Sequence, residues 1–370
     1  MQKDYMGVLT LTESEIDIRS LTYNRPLASI PIGGRYRIID FTLSNMVNSG
    51  IQNIGVFTQS NSRSLVEHLG TGKPWELDRN VNGLFVFNFN VSGSLNGDVK
   101  MINNNMEYFN RSKQNNVIVS PSYMICKVDY DDAIKYHEQS GKDITIIYKK
   151  VENAEKEMLN CDVLYIENNL VKGIGKNIGG ESEANISMEM FILKKEKLIE
   201  FMLKGMQRGY NDTLKDMIYN YAKIKEINTY EYKGYLRCVN STINYYNINM
   251  DMLSPKVLEE LFYHNGRVLT KVKNDPPTKY SKYAKASNSI ISNGCIIDGN
   301  LENSVLSRQV RVKKGAVIKE SIILQGCEIG ENSTLINVIL DKGVIIKKDS
   351  FLKGSKEFPI VIEKKSVIRP

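Results

Sequence analysis

The chain has 370 residues, 42% of them hydrophobic and 25% charged, which is the balance of a soluble globular protein long enough for two domains. It contains no run of about 18 apolar residues, so we expect no transmembrane helix and no membrane partner. Five cysteines without a CxxC pair and three widely separated histidines argue against a disulfide framework or a metal site, and they favour a reducing cytoplasm.

The net charge of +7 is concentrated near the C-terminus, since residues 301–370 carry 13 Lys and Arg against 8 Asp and Glu. This excess has two interpretations: a solvated lysine face, or a surface that binds an anion or a partner. We expect no nucleic acid there, because the lysines lack the regularly interleaved aromatic side chains on which bases stack.

The first part of the chain alternates between strand and helix patterns. Strands are predicted at "MGVLTL", "IQNIGVFTQ", "NVIVSP" and "DITIIYKKV". Helices are predicted at "DFTLSNMVNSG", "SRSLVEHLG", "MINNNMEYFNRSKQ" and "DYDDAIKYHEQSG", three of which end at a glycine. This alternation favours an α/β domain whose parallel sheet is covered by helices on both faces.

The same pattern continues with a hairpin at "DVLYIENNLVKGIGK" and amphipathic helices at "KEKLIEFMLKGMQRG" and "TLKDMIYNYAKI". The first domain is therefore predicted to cover residues 1–245. Pro276 and Pro277 cannot lie inside a helix or a central strand, and they mark a linker predicted over residues 246–289.

After the linker, short aliphatic runs alternate with Gly, Asn, Asp and Lys turns. Aliphatic residues recur every 17 positions in two series, Val312, Ile329 and Ile346, and Ile318, Leu335 and Leu352. This period resembles hexapeptide repeats, whose known form is a left-handed parallel β-helix. We predict such a β-helix over residues 290–370, with a small β-sandwich as the alternative.

The segment from Arg25 to Gln59, "RPLASIPIGGRYRIIDFTLSNMVNSGIQNIGVFTQ", combined with a hexapeptide tail, resembles the glucose-1-phosphate adenylyltransferase (ADP-glucose pyrophosphorylase) family. The resemblance covers nearly the whole chain. It implies a nucleotidyltransferase, Rossmann-like α/β domain with a mixed or parallel sheet, followed by the β-helix. The stretches "HLGTGKPWELDR", "GLFVF" and "YFNRSKQNNVIV" resemble the D-type subunit that accompanies a catalytic subunit in Gram-positive bacteria.

Catalysis in this family depends on a glycine-rich loop with an arginine, a lysine that follows it, and two aspartates that hold magnesium. Here Gly7 is followed by "VLTLTESEIDI", which has three carboxylates and no further glycine or arginine. Carboxylates there would repel a triphosphate, whereas glycines would let backbone N–H groups approach it. At the lysine position the chain has Leu27.

The positions of both metal-binding aspartates are also changed. The alignment places Ser122 and Tyr123 at the first and Cys238 at the second. A neutral thiol is a poor ligand for magnesium, which prefers hard oxygen donors. On the sugar side, the resemblance leaves Gln59 and Lys176 as vestigial substrate-binding residues.

These replacements imply a chain with no catalytic residues, no metal site and no cofactor of its own, Mg²⁺ being supplied only through a catalytic partner. We therefore expect a regulatory or stabilising subunit of a homo- or hetero-tetrameric adenylyltransferase in glycogen synthesis. Arg35 and Arg37 are candidates for an effector site that binds an anion, or for an interdomain contact. The alternative for them is a structural ion pair with Asp40.

Two other functions stay open at this point. The chain could be a divergent active glucose-1-phosphate adenylyltransferase that makes ADP-glucose from ATP and glucose 1-phosphate, with Asp98 or Asp129 holding the metal. It could also be a hexapeptide acyltransferase. That function is disfavoured because it needs a catalytic histidine near the coil, and none follows His264.

Overall fold

The computed structural model describes residues 2–59, 62–88, 98–209 and 212–370. The chain forms two compact units that interleave along the sequence. The first unit comprises Met1–Glu13, Phe41–Cys238 and His264–Leu269, and the second comprises Ser14–Asp40, Val239–Tyr263 and Thr270–Pro370. None of the helices in the described ranges combines the length and the apolar character that a membrane crossing requires.

The helices follow most of the predicted segments. In chain order they are α1 (Arg19–Thr22), α2 (Ile38–Asn48), α3 (Arg63–Leu69), α4 (Asp98–Asn103), α5 (Met106–Arg111), α6 (Tyr130–Ser140), α7 (Lys195–Gln207), α8 (Leu214–Ala222), α9 (Thr242–Asp251) and α10 (Pro255–Tyr263).

The single helix predicted at "MINNNMEYFNRSKQ" is wrong, because the structure divides this segment between α4 and α5. Asn105 precedes α5, and its side-chain amide donates a hydrogen bond back to the Met101 carbonyl at 2.8 Å. Asparagine side chains compete in this way with helical backbone hydrogen bonds, which explains why the helix is interrupted here.

Strands up to residue 238 are β1 (Tyr5–Leu11), β2 (Pro31–Ile32), β3 (Tyr36–Arg37), β4 (Asn53–Thr58), β5 (Gly83–Asn88), β6 (Asn116–Ser120), β7 (Met124–Cys126), β8 (Ile144–Val151), β9 (Asp162–Glu167), β10 (Leu170–Lys176), β11 (Ala184–Lys194), β12 (Asn228–Glu231) and β13 (Leu236–Cys238). Nine of them form the sheet of the first unit, in the order β5-β4-β1-β6-β11-β8-β12-β10-β9.

This sheet is mixed. Strand β1 is parallel to both β4 and β6, whereas β11 is antiparallel to β6 and β8. The predicted hairpin is confirmed as the antiparallel pair β9 and β10. Because β1 and β6 are parallel neighbours, the loops that follow them leave the sheet at the same edge.

The second unit contains the predicted β-helix. Its strands are β14 (Lys279–Tyr280), β15 (Lys285–Ser287), β16 (Ile290–Ile291), β17 (Ile296–Ile297), β18 (Asn300–Glu302), β19 (Val305–Leu306), β20 (Arg311–Val312), β21 (Val317–Lys319), β22 (Ile322–Ile323), β23 (Glu328–Ile329), β24 (Thr334–Ile336), β25 (Val338–Leu340), β26 (Ile345–Ile346), β27 (Phe351–Lys353), β28 (Ile360–Ile362) and β29 (Val367–Ile368).

These strands stack into three parallel sheets, the arrangement of the predicted left-handed β-helix. The period of 17 residues is the pairing register, since Val312 pairs with Ile329 and Ile329 with Ile346. All three side chains are buried in the core of the coil. The β-sandwich alternative is therefore wrong: one aliphatic side chain from each strand points inward on successive coils.

The predicted boundaries, 1–245, 246–289 and 290–370, follow the order of the sequence, whereas the compact units do not. Residues 14–40 pack with the β-helix. Helix α9 (Thr242–Asp251) crosses the predicted boundary at residue 245, and α10 lies within the segment assigned to the linker. Backbone Gly33 N–H donates to Asn249 of α9 at 3.0 Å. Gly34 has φ +79°, and a Cβ on it would lie 2.6 Å from Ser292 Oγ, so both the turn and the packing require glycine.

A buried ion pair joins residues 14–40 to the β-helix. The Arg25 guanidinium binds the Asp341 carboxylate, with only 4% and 3% of the two side chains exposed. Its Nε also donates to the Leu21 carbonyl at 2.9 Å. Tyr245 of α9 donates to the Pro31 carbonyl at 2.7 Å, so the same segment is held from a second side.

Replacing Arg25→Ala is expected to lower the free energy of unfolding by about 3–5 kcal/mol, because Asp341 would be left charged and unpaired in the interior. Thermal and denaturant unfolding followed by circular dichroism measure the change. Arg311→Ala is the matched control, because Arg311 and its partner Glu328 are exposed and such pairs contribute about 0–1 kcal/mol. Equal effects of the two substitutions would contradict the prediction.

Candidate functional site

The loops after β1 and β6 meet through the Glu13 carboxylate. Glu13 Oε1 accepts hydrogen bonds from the Ser122 backbone N–H at 2.7 Å and from the Ser122 hydroxyl at 2.8 Å. Burial raises the pKa of Glu13 to about 7, although these hydrogen bonds act in the opposite direction. The residue at the first aspartate position is therefore bound to a carboxylate of the chain's own β1 loop.

Tyr123 and Cys238, the other two predicted replacements, belong to the same cluster. Cys238 lies opposite Met124, where β13 pairs with β7. Burial, the neighbouring Cys161 thiol and the Glu189 charge raise the pKa of Cys238 well above its ordinary value. Burial, with the Glu189 charge, also raises the pKa of Tyr123. Both groups are thus neutral, and neither replaces the negative charge of an aspartate.

Beside this cluster lies a chain of alternating charges. Lys215 of α8 pairs with Glu189 at 2.9 Å and with Asp162 at 3.0 Å, and Asp162 pairs in turn with Lys176 at 2.6 Å. Burial acts against ionisation, but the two lysines outweigh it and lower the pKa of Asp162. The positive charge of the Lys176 ammonium group is thereby balanced by Asp162, a carboxylate of the same chain. Lys176 is one of the two residues predicted to be vestigial substrate-binding residues.

Glu189 enters this network through an unusual backbone conformation. It lies at a bulge of β11, between Ser187 and Met190, with φ +54°. The left-handed region favours glycine, so a glutamate there is strained. The ion pair with Lys215 offsets that strain and keeps the carboxylate inside the site.

The residues of this site do not fit a magnesium ion. Glu13 is bound by Ser122, Glu189 is bound by Lys215, and the Cys238 thiol is protonated. Across residues 2–59, 62–88, 98–209 and 212–370, no group of three His, Cys, Asp or Glu side chains could hold a metal. The carboxylates considered as alternatives have structural roles: Asp98 accepts from the Leu214 N–H at 2.7 Å, and Asp129 caps α6.

The remaining predicted residues are spread over both units. Gln59 follows β4 in the first unit, partly buried, and its carbonyl accepts the Thr58 hydroxyl at 3.5 Å. Leu27 belongs to the second unit, where its side chain is buried and its N–H donates to Glu15 at 2.8 Å. Arg35 is exposed, and its guanidinium lies 5.0 Å from the centre of the Tyr36 ring.

Arg37 belongs to a cluster of cations in the second unit. Burial, followed by the charges of Arg37, Arg25 and Lys273, lowers the pKa of Lys342 to about 7. Burial and the charges of Arg308 and Arg37 also lower the pKa of Lys273. Asp40, the alternative partner of Arg37, accepts its backbone N–H at 2.8 Å. We call Arg25, Arg37, Lys273 and Lys342 the cationic cluster.

Sequence reasoning did not single out Glu189, Lys215, Lys273 or Lys342. The excess of basic residues in 301–370 was a signal for Lys342, but only the fold shows which lysine of that excess is partly buried beside other cations. Glu189 carries no local signal, since "SMEMF" is an ordinary strand pattern in which the bulge cannot be seen.

The Glu13 carboxyl is expected to make stability depend on pH. Its pKa in the folded chain, about 7, is higher than the ordinary 4.5, so the folded state holds the proton more tightly than the unfolded state. As pH rises from about 4.5 to about 7, the wild-type protein should lose stability relative to Glu13→Gln, which stays neutral. Unfolding measured across this range tests it.

Glu167→Gln, which changes an exposed glutamate of β9, is the matched control. The free energy of unfolding of Glu167→Gln should change with pH in the same way as that of the wild-type protein through this range. If the stability of Glu13→Gln also ran parallel to wild type throughout, the buried character of the Glu13 carboxyl would be refuted.

Comparisons with known proteins agree with both parts of the fold. A nucleotidyl transferase family model matches residues 18–157, and a GlmU-like C-terminal hexapeptide model matches residues 276–353. The chain is 32% identical to the glycogen biosynthesis protein GlgD of Bacillus subtilis, over 97% of this chain and 95% of that protein. It is 34% identical to GlgD of Geobacillus stearothermophilus, over 99% and 98%.

A third relative carries the name of the enzyme itself. The chain is 30% identical to the glucose-1-phosphate adenylyltransferase of Bacillus cytotoxicus, over 93% of each chain. These identities extend over both units and confirm the resemblance inferred from the motifs. The chain therefore belongs to the family of the glucose-1-phosphate adenylyltransferases, within which the glycogen biosynthesis protein GlgD is among its relatives.

Proposed function

We propose that this chain is a regulatory or stabilising subunit of a glucose-1-phosphate adenylyltransferase in glycogen biosynthesis, and that it does not catalyse the reaction itself. The observation that carries the proposal lies at the ends of β1 and β6. There the side chains of Tyr123 and Cys238 are neutral, and the Glu13 carboxyl is hydrogen-bonded within the chain. The family resemblance aligns Ser122, Tyr123 and Cys238 with metal-binding carboxylates, and Glu13 is bound to Ser122.

The chemistry of the reaction explains why these changes matter. A phosphate oxygen of glucose 1-phosphate attacks the α-phosphorus of ATP, and pyrophosphate leaves, so several negative charges must be neutralised together. Losing one electrostatic stabiliser typically costs about 2.7–4 kcal/mol of barrier, and several losses remove most of the rate enhancement even if they are not additive. The site of this chain adds carboxylates where the reaction needs cations.

Lys176 supports the same conclusion from the sugar side. Its ammonium is paired with Asp162 at 2.6 Å, and Asp162 is held in addition by Lys215 at 3.0 Å. A sugar phosphate would have to compete with Asp162 for the Lys176 ammonium. We therefore treat Lys176 and Gln59 as remnants of a substrate site.

The partner that this function requires is a catalytic glucose-1-phosphate adenylyltransferase subunit, with which the chain would form a tetramer in the cytoplasm. The names of the relatives support this pairing, since GlgD is named for glycogen biosynthesis and the other relative for the enzyme. Magnesium would enter only through the catalytic partner. A subunit can shift the partner's equilibrium between active and inactive states if it binds them with different free energies.

The cationic cluster is the part of the chain that we propose to sense an anionic effector. Burial, followed by the charges of Arg37, Arg25 and Lys273, lowers the pKa of Lys342, while Asp341 acts in the opposite direction. A bound anion would relieve the repulsion among these cations. An anion would therefore bind more tightly to a conformation in which these four cations lie together than to one in which they are apart. Arg37 takes part directly, and Arg35 is retained as a neighbouring candidate at the adjacent turn.

The purified chain alone is expected to form no ADP-glucose from ATP, glucose 1-phosphate and magnesium above the background without protein. Mixing it with a catalytic subunit should change the rate, or the response to effectors, at least about two-fold, because coupling between subunits is typically about 1–3 kcal/mol. The heat-denatured chain serves as the control for the mixture. Robust turnover by the chain alone would instead establish the divergent-enzyme alternative.

Lys342→Gln is expected to remove at least about half of the stabilisation that sulfate gives the native chain, because Lys342 lies among three other cations. Thermal unfolding with and without sulfate measures it. The effect of sulfate on the wild-type protein should decline as pH rises above about 7, where Lys342 loses its proton. Lys348→Gln removes the same charge from an exposed position and should leave the sulfate response unchanged.

A further inference from the structure

A pocket of about 390 Å³ lies in the first unit, away from the site at the ends of β1 and β6. Its floor is aromatic, formed by Phe85 and Phe87 of β5 and Tyr108 of α5. Amide and hydroxyl side chains, among them Asn53, Asn82 and Ser112, contribute to the rest of the lining, together with Val81 and three charged residues. We call this the aromatic pocket. Its volume falls in the range of small-molecule sites, about 300–1,000 Å³.

The register of two parallel strands builds the floor. Phe85 pairs with Gly55 and Phe87 with Phe57, so these residues share one face of the sheet. A Cβ at Gly55 would lie 2.8 Å from the Tyr108 ring, and the glycine therefore lets that ring approach the strand. Tyr108 lies 5.1 Å from Phe85 and 5.2 Å from Phe87, measured between ring centres.

Hydrogen bonds hold the polar wall in place. Tyr108 donates to Asn53 Oδ1 at 3.0 Å, and Asn53 Nδ2 donates to the buried Gln114 at 3.0 Å. Ser112 donates to Gln114 at 2.7 Å, and Gln114 donates to Asn82 at 3.4 Å. A polar network of this kind fixes both the ring and the amides before a ligand arrives.

One aromatic ring of the pocket is open to solvent. Phe85 is 41% exposed, although its neighbours Phe57 and Phe109 are fully buried. The charged residues of the lining are Glu107, Arg111 and Lys113, and Arg111 pairs with Glu107 at 2.5 Å. The lining thus presents a ring face and amides, and its three charged residues sum to +1, with Lys113 left after Arg111 pairs with Glu107.

We propose that the aromatic pocket binds α-1,4-linked glucose units, as the end of an α-glucan chain or as a free maltooligosaccharide. The axial C–H groups of a glucopyranose ring give it an apolar face that packs on an aromatic ring. Its equatorial hydroxyls both donate and accept hydrogen bonds. Amide and hydroxyl side chains also do both, so they can pair with these hydroxyls in either role. Phe85 supplies the ring, and Asn82 and Ser112 supply the polar partners.

The proposal rests on the proposed function, since a glucan is the polymer that glycogen biosynthesis extends. Binding here would keep the subunit, and with it the synthesis of the activated sugar, near the polymer that consumes that sugar. The pocket would act as an anchor and not as part of the adenylyl transfer. Its test therefore measures glucan binding by this chain alone. The proposed function is tested separately, by the enzyme activity of the chain mixed with a catalytic subunit.

The test uses the purified full chain. Affinity electrophoresis in gels that contain glycogen, and calorimetry with maltoheptaose, measure binding by the wild-type protein, Phe85→Ala, Phe85→Leu and the control Phe358→Ala. Phe358 is 82% exposed and lies in the second unit. We expect retention of the wild-type protein by glycogen, at least about ten-fold weaker binding by both Phe85 variants, which lack the aromatic face, and no change in the control. Phe85→Leu keeps the apolar volume, so its loss of binding cannot come from an unfolded chain.

Four outcomes would overturn the proposal. The wild-type chain could fail to bind glycogen and maltoheptaose, or the Phe85 variants could bind as well as it does. Calorimetry could show that AMP binds at Phe85 while maltoheptaose does not, which would make this a nucleoside site. Finally, the Phe85 variants could change only the size of the complex with the catalytic subunit, measured by light scattering, which would make this surface a subunit contact.

Discussion

The buried pair of Arg25 and Asp341 is the interaction on which the second unit depends. It joins a segment near the N-terminus to the β-helix more than three hundred residues later in the chain. A buried ion pair is stable only when both partners are present, because either one alone is an uncompensated charge. Asp341 also precedes Lys342, so the same pair positions the segment that carries Arg37 beside the lysine of the cationic cluster.

If the chain does not catalyse the reaction, as we propose, this packing explains why the motif around Gly33 and Gly34 is retained. The turn at Gly33 and Gly34 is required by its left-handed backbone and by the closeness of Ser292, whether or not the chain binds a nucleotide. The glycine-rich loop and the metal-binding aspartates have no such second role. Selection for folding and assembly alone would preserve the first and release the second.

In the first unit, charged side chains that could bind phosphate or metal are paired with other side chains of the same chain. Glu13 binds Ser122, and Lys215 connects Glu189 to Asp162, so that groups able to grip phosphate or metal already have internal partners. In the Lys215 network the carboxylates of Glu189 and Asp162 each have a cationic partner, without which their charges would be uncompensated. In the proposed function, these pairs are what phosphate or metal would first have to break in order to bind productively.

The sequence by itself determined the fold class, the period of the β-helix and the family, because these depend on local patterns: the alternation of elements, the 17-residue repeat and the letters around Gly33 and Gly34. It also predicted Ser122 and Cys238 as replacements of metal-binding aspartates, and these stay predictions. Only the tertiary structure decided what surrounds them, and that residues 14–40 pack with the β-helix. The reason is physical: an ion pair or a shifted pKa depends on burial and on partners distant in sequence, as Asp341 is from Arg25, and no local pattern encodes that distance.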